Sequence, residues 1–162
     1  MFVSALVAVV LLVSTGTGVV AAQSAPDCLT VTYTGDGSVA NPYEVGNVDQ
    51  LQCIGEQGPN ANYVQVSDID AVETAVWNDN KGFEPIGRVG SGTMFNGTFD
   101  GGGHEITGLT IDRVGPTVGL FGRVGSPGMV ANVSVRQAEI VGGGSVGLVG
   151  FNRGGVVRDS SA

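Results

Sequence analysis

Apolar positions along the chain fall into three regimes. Met1 to Ala22 is apolar throughout, carries no charged side chain and ends in small residues, Val19-Val20-Ala21-Ala22. Such a stretch is expected to be a secretory signal peptide (residues 1–22), cut after Ala22 or Ser24. The competing reading is a retained membrane anchor, since the length just suffices to span a bilayer. Next, Gln23 to Asp27 is a short polar linker, Leu29-Thr30-Val31-Thr32-Tyr33 has strand character, and Gly35-Asp36-Gly37 is a turn. Val48, Leu51, Cys53 and Ile54 then recur at helical spacing, with Asn47 or Asp49 as cap and Gly58-Pro59 as stop. Residues 23–58 are thus expected to be a linker and an N-terminal cap containing a short helix.

The third regime, residues 59–162, consists of short β-type segments. Tyr63-Val64-Gln65-Val66 is one, and from Phe95 onward the chain repeats itself. Ile106-Thr107-Gly108-Leu109-Thr110-Ile111 aligns with Val130-Ala131-Asn132-Val133-Ser134-Val135 and with Val157-Arg158-Asp159-Ser160. Val118-Gly119-Leu120-Phe121-Gly122 is matched by Val146-Gly147-Leu148-Val149-Gly150, from 118 to 146. A period in the twenties without helical spacing predicts an all-β solenoid whose coils bury a shared apolar column. The third aligned positions are Gly108, Asn132 and Asp159, types that tolerate a left-handed backbone, so a corner is expected at each. This alignment stacks Ile106, Val130 and Val157 in one inward column and Leu120 on Leu148, all largely buried.

Phe95-Asn96-Gly97-Thr98-Phe99-Asp100-Gly101-Gly102-Gly103-His104, with Ile106-Thr107-Gly108-Leu109 after it, resembles the G-T-F-D-G-N-G-H-x-I-x-G-L block of GLUG-motif surface proteins. Val146-Gly147-Leu148-Val149-Gly150-Phe151-Asn152 with Gly154-Gly155 resembles the motif itself, and Val66 to Asp70 with Glu84-Pro85-Ile86-Gly87 resembles what precedes it. The resemblance runs from about Asn41 to the C-terminus. It implies a right-handed parallel β-helix akin to filamentous-haemagglutinin adhesins, on extracellular proteins of bacteria and salt-loving archaea. It supplies no catalytic residues. One full motif and one partial copy, Val118 to Gly122, are present, and the array is expected to be truncated after Ala162. The last coil is then uncapped and open to end-to-end self-association.

Composition narrows the function. The 162 residues include 28 Gly and carry a formal charge of −8, with Lys81 the sole lysine. That charge excludes nucleic acid as a partner, because phosphate binding needs clustered Lys and Arg. Asp over Glu and Arg over Lys is a bias of saline habitats. Cys28 and Cys53 form an even count, which in an oxidising compartment reads as a disulfide; two buried thiols are the alternative. No third ligand points to zinc, and no cofactor is expected. His104 beside Asp100 and Glu105 has no nucleophile around it and reads as structural. Asp68 and Asp70 lack the further ligands of a Ca²⁺ loop, and Asn78 to Gly82 is turn chemistry. Sequons occur at Asn96, in a Gly-rich turn open to a glycan, and at Asn132, where the side chain is needed inside a corner. The function expected is a secreted or cell-surface structural or adhesion protein with a surface glycan or protein ligand and no catalytic activity. The competing class is a polysaccharide-active β-helix lyase or hydrolase, which needs carboxylates converging on one face.

Overall fold

The computed structural model describes residues 23–87 and 93–162. The expected signal, residues 1–22, lies outside them. Among the described residues there are twelve strands and one α-helix. In chain order they are β1 (Tyr43–Val45), α1 (Val48–Gln57), β2 (Asn62–Gln65), β3 (Ile69–Asp70), β4 (Thr98–Asp100), β5 (Glu105–Thr107), β6 (Thr110–Arg113), β7 (Thr117–Gly125), β8 (Met129–Ala131), β9 (Ser134–Arg136), β10 (Glu139–Gly142), β11 (Ser145–Arg153) and β12 (Val156–Arg158). A 3₁₀ turn occupies Val72–Val76. The fold is all-β, and every strand pair is parallel.

Strands that neighbour in space come from successive passes of the chain. One sheet has the order β1-β2-β4-β8-β12, a second β3-β5-β9, and β6-β10 and β7-β11 form two pairs. Parallel strands need a long crossover, so no hairpin can make this arrangement. Gly82, Ile86 and Phe95 add single bridges to β6 and β7, which carries an earlier pass alongside them.

The register corrects one expectation and keeps another. Phe99 faces Val130, which faces Val157. Ile106 is absent from that column: it lies between Ile69 and Val135 in the neighbouring sheet. Consecutive corners share one local pattern, and aligning by pattern alone slipped Ile106 by one side. Gly108, Asn132 and Asp159 do sit at φ of 74°, 54° and 51°, joined by Gln137 at 52°. The pairing of Gly119 with Gly147 and Phe121 with Val149 sets Leu120 opposite Leu148, as the two near-copies require. Ile106, Val130 and Leu120 are fully buried, but Val157 is 41% exposed and Leu148 only half-buried. The reason is that β10, β11 and β12 have a pairing partner on one side alone.

The Leu29–Tyr33 stretch is also corrected: Cys28 to Thr30 form a turn and Val31 to Tyr33 join no strand. Asp27 captures it: Leu29 N–H donates to Asp27 Oδ1 (3.1 Å) and Thr30 N–H to the Asp27 carbonyl (2.9 Å). Leu29 is left exposed. The bend brings Cys28 to Cys53, and the two form a disulfide with a Cα–Cα distance of 5.3 Å.

Helix α1 begins at Asn47, whose Oδ1 accepts the Gln50 N–H at 2.9 Å, satisfying one of the orphan donors of the first turn. Its buried residues are Val48, Leu51, Cys53 and Ile54. Tyr33 donates its hydroxyl to the Gln50 carbonyl. Tyr63 donates to Ile54 O and Gly58 O, at 3.1 and 2.9 Å. Burial raises the pKa of both phenols well above its ordinary value, so they remain donors. From this point an aromatic series climbs through the core, Tyr33, Tyr43, Tyr63, Phe95, Phe121 and Phe99, with consecutive centroids 5.1–6.2 Å apart. Tilted and edge-on pairs at these spacings are the favoured geometry, about 0.5–1.5 kcal/mol each beyond area burial.

Candidate functional site

Side chains pointing away from the core form polar ladders, because inward and outward positions alternate along each strand. On the β5–β9 side, Glu105 pairs with Arg136 in an ion pair. Asp68, just before β3, accepts the Glu105 N–H at 3.0 Å, with His104 Nδ1 at 3.4 Å. The Glu105 N–H bond, followed by His104, holds the Asp68 carboxyl below the usual carboxylate range. Asp70 closes its own turn by accepting the Val72 N–H at 3.0 Å.

The corner between β4 and β5 is organised by Asp100. Its Oδ1 accepts Asn132 Nδ2 at 2.9 Å and the Gly102 N–H at 3.0 Å. These bonds, with Asn132 first, lower the Asp100 pKa, helped by the charge of Arg158. Gly101 sits directly under the next corner, and a Cβ there would lie 2.1 Å from the Asn132 carbonyl. One pass further on, Ser160 Oγ accepts the Val133 N–H at 3.1 Å, and Arg158 lies 3.1 Å from Asp159. Together Glu105, Asn132, Ser134, Arg136, Asp159 and Ser161 line a shallow groove of about 350 Å³.

This groove is a hydrogen-bonding surface with carboxylates, amides, hydroxyls and a guanidinium in alternation. Its two acidic groups are each paired with an arginine, Glu105 with Arg136 and Asp159 with Arg158. Among the described residues no three His, Cys, Asp or Glu gather as a metal-binding group. His104 touches Asp68, not Asp100. The two sequon residues differ in the way their corners require: Asn96 Nδ2 reaches the exposed Asn60 Oδ1 at 3.2 Å, whereas Asn132 Nδ2 is engaged with Asp100.

Two contacts in the groove were not legible from the sequence. Glu105 and Arg136 lie a full pass apart, and Asp68 reaches Glu105 from the pass before. The 29-residue offset from β5 to β9 (106 to 135) sets Glu105 opposite Ser134, and Arg136 reaches Glu105 from the diagonal position two residues further on.

Halomucin of Haloquadratum walsbyi is similar to this chain. The two are 42% identical over 137 residues, covering 81% of this chain and 2% of halomucin. A putative Gly-rich membrane protein of Evansella cellulosilytica is 35% identical over 133 residues, covering 78% of this chain and 15% of the relative. The chain therefore spans a small part of the length of either. No family model matches the chain, and no solved structure matches it. No helix among the described residues is long and apolar enough to cross a membrane.

Proposed function

We propose that the chain is an exported, non-catalytic surface module: a right-handed parallel β-solenoid of the GLUG-motif, filamentous-haemagglutinin-like type, contributing to adhesion or envelope architecture. The observation that carries this reading is the set of parallel registers in which β4, β5, β6 and β7 are each covered by a strand 28–31 residues later. Stacking of that kind yields a long regular outer surface and no enclosed site. The names of the two relatives support it, since one is a halomucin, the other a Gly-rich membrane protein, and neither name is that of an enzyme. A saline habitat fits both the name halomucin and the charge of −8.

The polar groove from Glu105 to Ser161 is the surface through which a neutral or weakly polar glycan would be held, by Asn132, Ser134 and Arg136. Two assays test the reading. N-terminal sequencing of protein recovered outside the cell should give Gln23 or Ala25 as the first residue, and an intact Met1 in a membrane fraction contradicts the cleaved signal. Immobilised protein should retain surface polysaccharide without releasing reducing ends or unsaturated products. Release of either product, abolished by Glu105→Gln, would establish the lyase or hydrolase class instead.

A further inference from the structure

Asn96 lies inside the array, with a pass of the chain on either side, and its side chain is left partly exposed. Its backbone is fixed: the Asn96 and Gly97 N–H groups both donate to the Pro59 carbonyl, at 2.8 and 2.9 Å. On the pass before, its neighbour is the exposed Asn60, whose Oδ1 accepts Asn96 Nδ2 at 3.2 Å. On the pass after, the facing positions are Gly125 and Gly128. A Cβ would lie 2.4 Å from Asn96 Oδ1 at the first and 3.1 Å from Asn96 Cα at the second, so two glycines keep the carboxamide uncovered. Thr98 follows on the outer side of β4, since Phe99 beside it is fully buried. We propose that Asn96 carries an N-linked glycan once the chain is outside the cell, and that Asn132, the other sequon residue, stays bare.

The chemistry needs an amide nitrogen that can give up one proton. The anomeric carbon of a sugar carried on a phosphate-ester donor bonds to Asn96 Nδ2, and its C–O bond to the phosphate breaks. The phosphate leaves as an anion, and a base of the transferase takes the Nδ2 proton. A carboxamide nitrogen has two N–H donors. Asn60 occupies one, so the secondary amide formed at Asn96 keeps that contact with its remaining N–H. Thr98 is the hydroxyl residue that the N-x-S/T pattern requires. Between the two, Gly97 packs so closely that a Cβ would lie 1.9 Å from the Ala61 carbonyl oxygen, and the middle residue puts no side chain in the way.

Asn132 matches the same pattern and fails on its surroundings. Its Nδ2 is bound to a carboxylate, Asp100 Oδ1, at 2.9 Å, a stronger bond than one between two neutral amides. It sits at a left-handed corner with φ of 54°, and its N–H is held by the Arg158 carbonyl of the next pass at 3.3 Å. Val133 behind it is buried, and a sugar on Nδ2 would have to leave through the polar groove that Asn132 lines. The Asn96 glycan avoids that groove. Asn96 and Asp100 flank β4, four residues or about 13 Å apart along an extended chain, so the groove stays open to a ligand.

The inference rests on the export proposed above, with the signal cut or kept, since either puts the passes outside the cell. The full chain is produced in a host that N-glycosylates its exported proteins, and protein from the medium and the membrane fraction is digested with trypsin. The peptide spanning residues 89–113 should carry a sugar mass at Asn96, and that spanning 124–136 should carry none. Asn96→Gln and Thr98→Ala should abolish the added mass and Thr98→Ser retain it, all with the wild-type circular dichroism spectrum. Enzymatic removal of the glycan should leave the urea midpoint where it was. An intact Met1 on protein glycosylated at Asn96 supports this inference while refuting the cleaved signal. A bare Asn96 on exported protein, a sugar mass that survives in Thr98→Ala, or a sugar on Asn132 would overturn the proposal.

Discussion

Phe121 occupies the place where the passes of the chain depend most on one side chain. Its ring is fully buried, 5.1 Å from the Phe95 ring and 5.6 Å from Phe99. Its backbone faces Val149 on one side and bridges to Ile86 on the other. Phe121→Ala removes a ring that contacts aromatic neighbours from two other segments, and parallel strands pinned by hydrogen bonds cannot collapse to fill the space. Such a truncation costs about 3–5 kcal/mol, of which the two ring pairs account for roughly 1–3 kcal/mol. Domain stabilities of about 5–15 kcal/mol make that a large fraction. Trp77 is the single tryptophan of the sequence and is buried, so its fluorescence reports urea unfolding. With a slope of about 1.5–2 kcal/mol per molar urea, the midpoint should fall by roughly 1.5–3 M. Val114→Ala, at a fully exposed position, is the control and should stay within about 0.5 kcal/mol. A loss below about 1 kcal/mol for Phe121→Ala at unchanged slope would falsify the claim that this ring ties the passes together.

Three further outcomes follow from the same geometry. Cys28 and Cys53 should alkylate only after reduction, and Cys53→Ser should lower the unfolding free energy by about 3 kcal/mol in the chain-entropy account; equal urea midpoints for both forms would show that the bridge is idle. Asp100 has a lowered pKa, so its contribution is fully present above the unfolded value near 4 and disappears as pH falls through the folded value. Urea midpoints should therefore drop below about pH 4, less steeply in Asp100→Asn, and parallel pH profiles for the two proteins count against the Asn132–Asp100 corner. Val130→Asp places an unpaired charge at a fully buried position and should cost several kcal/mol, while Thr107→Asp on the outer side should be nearly neutral; equal tolerance in thermal melts would reject the register.

How much of this was readable depended on segment length. Val118–Gly122 and Val146–Gly150 share enough residues to fix their own alignment, and β7 and β11 pair in that register. The corners were readable by residue type, since Gly108, Asn132 and Asp159 all take positive φ. Which corner lies over which was not. An inward residue, an outward residue and a left-handed residue recur at both ends of β5 and β9, so the local pattern fits equally well one side away. Gly102 and Gly103, both at positive φ, lengthen the turn from β4 to β5, and nothing in the periodicity marks them as an insertion. The polar groove was hidden for the same reason. Its pairs, Glu105 with Arg136 and Asp100 with Asn132, join residues of different passes and become visible only once the register is right.

Strand β2 shows how a single contact can override hydrophobicity. By apolarity alone, Val64 and Val66 belong inside and Gln65 outside. The structure has the reverse: Tyr63 and Gln65 are buried and Val66 is 44% exposed. Alternation permits one choice for the whole strand, and the Tyr63 hydroxyl decides it by reaching the Ile54 and Gly58 carbonyls at the end of α1. Facing Tyr63 outward would abandon the Phe95 stack and leave those helix-end carbonyls without the phenol. The cost is a buried amide. Gln65 Nε2 is satisfied by the Ser67 and Glu105 carbonyls, at 2.9 and 3.1 Å, while Oε1 has no partner among the described residues. That accounts for the position of Glu105 in the groove: its carbonyl is held from inside by Gln65 and its N–H from outside by Asp68. The backbone that presents Glu105 to Arg136 is thereby fixed from both faces, and the geometry of the outer surface is inherited from the way the cap is docked.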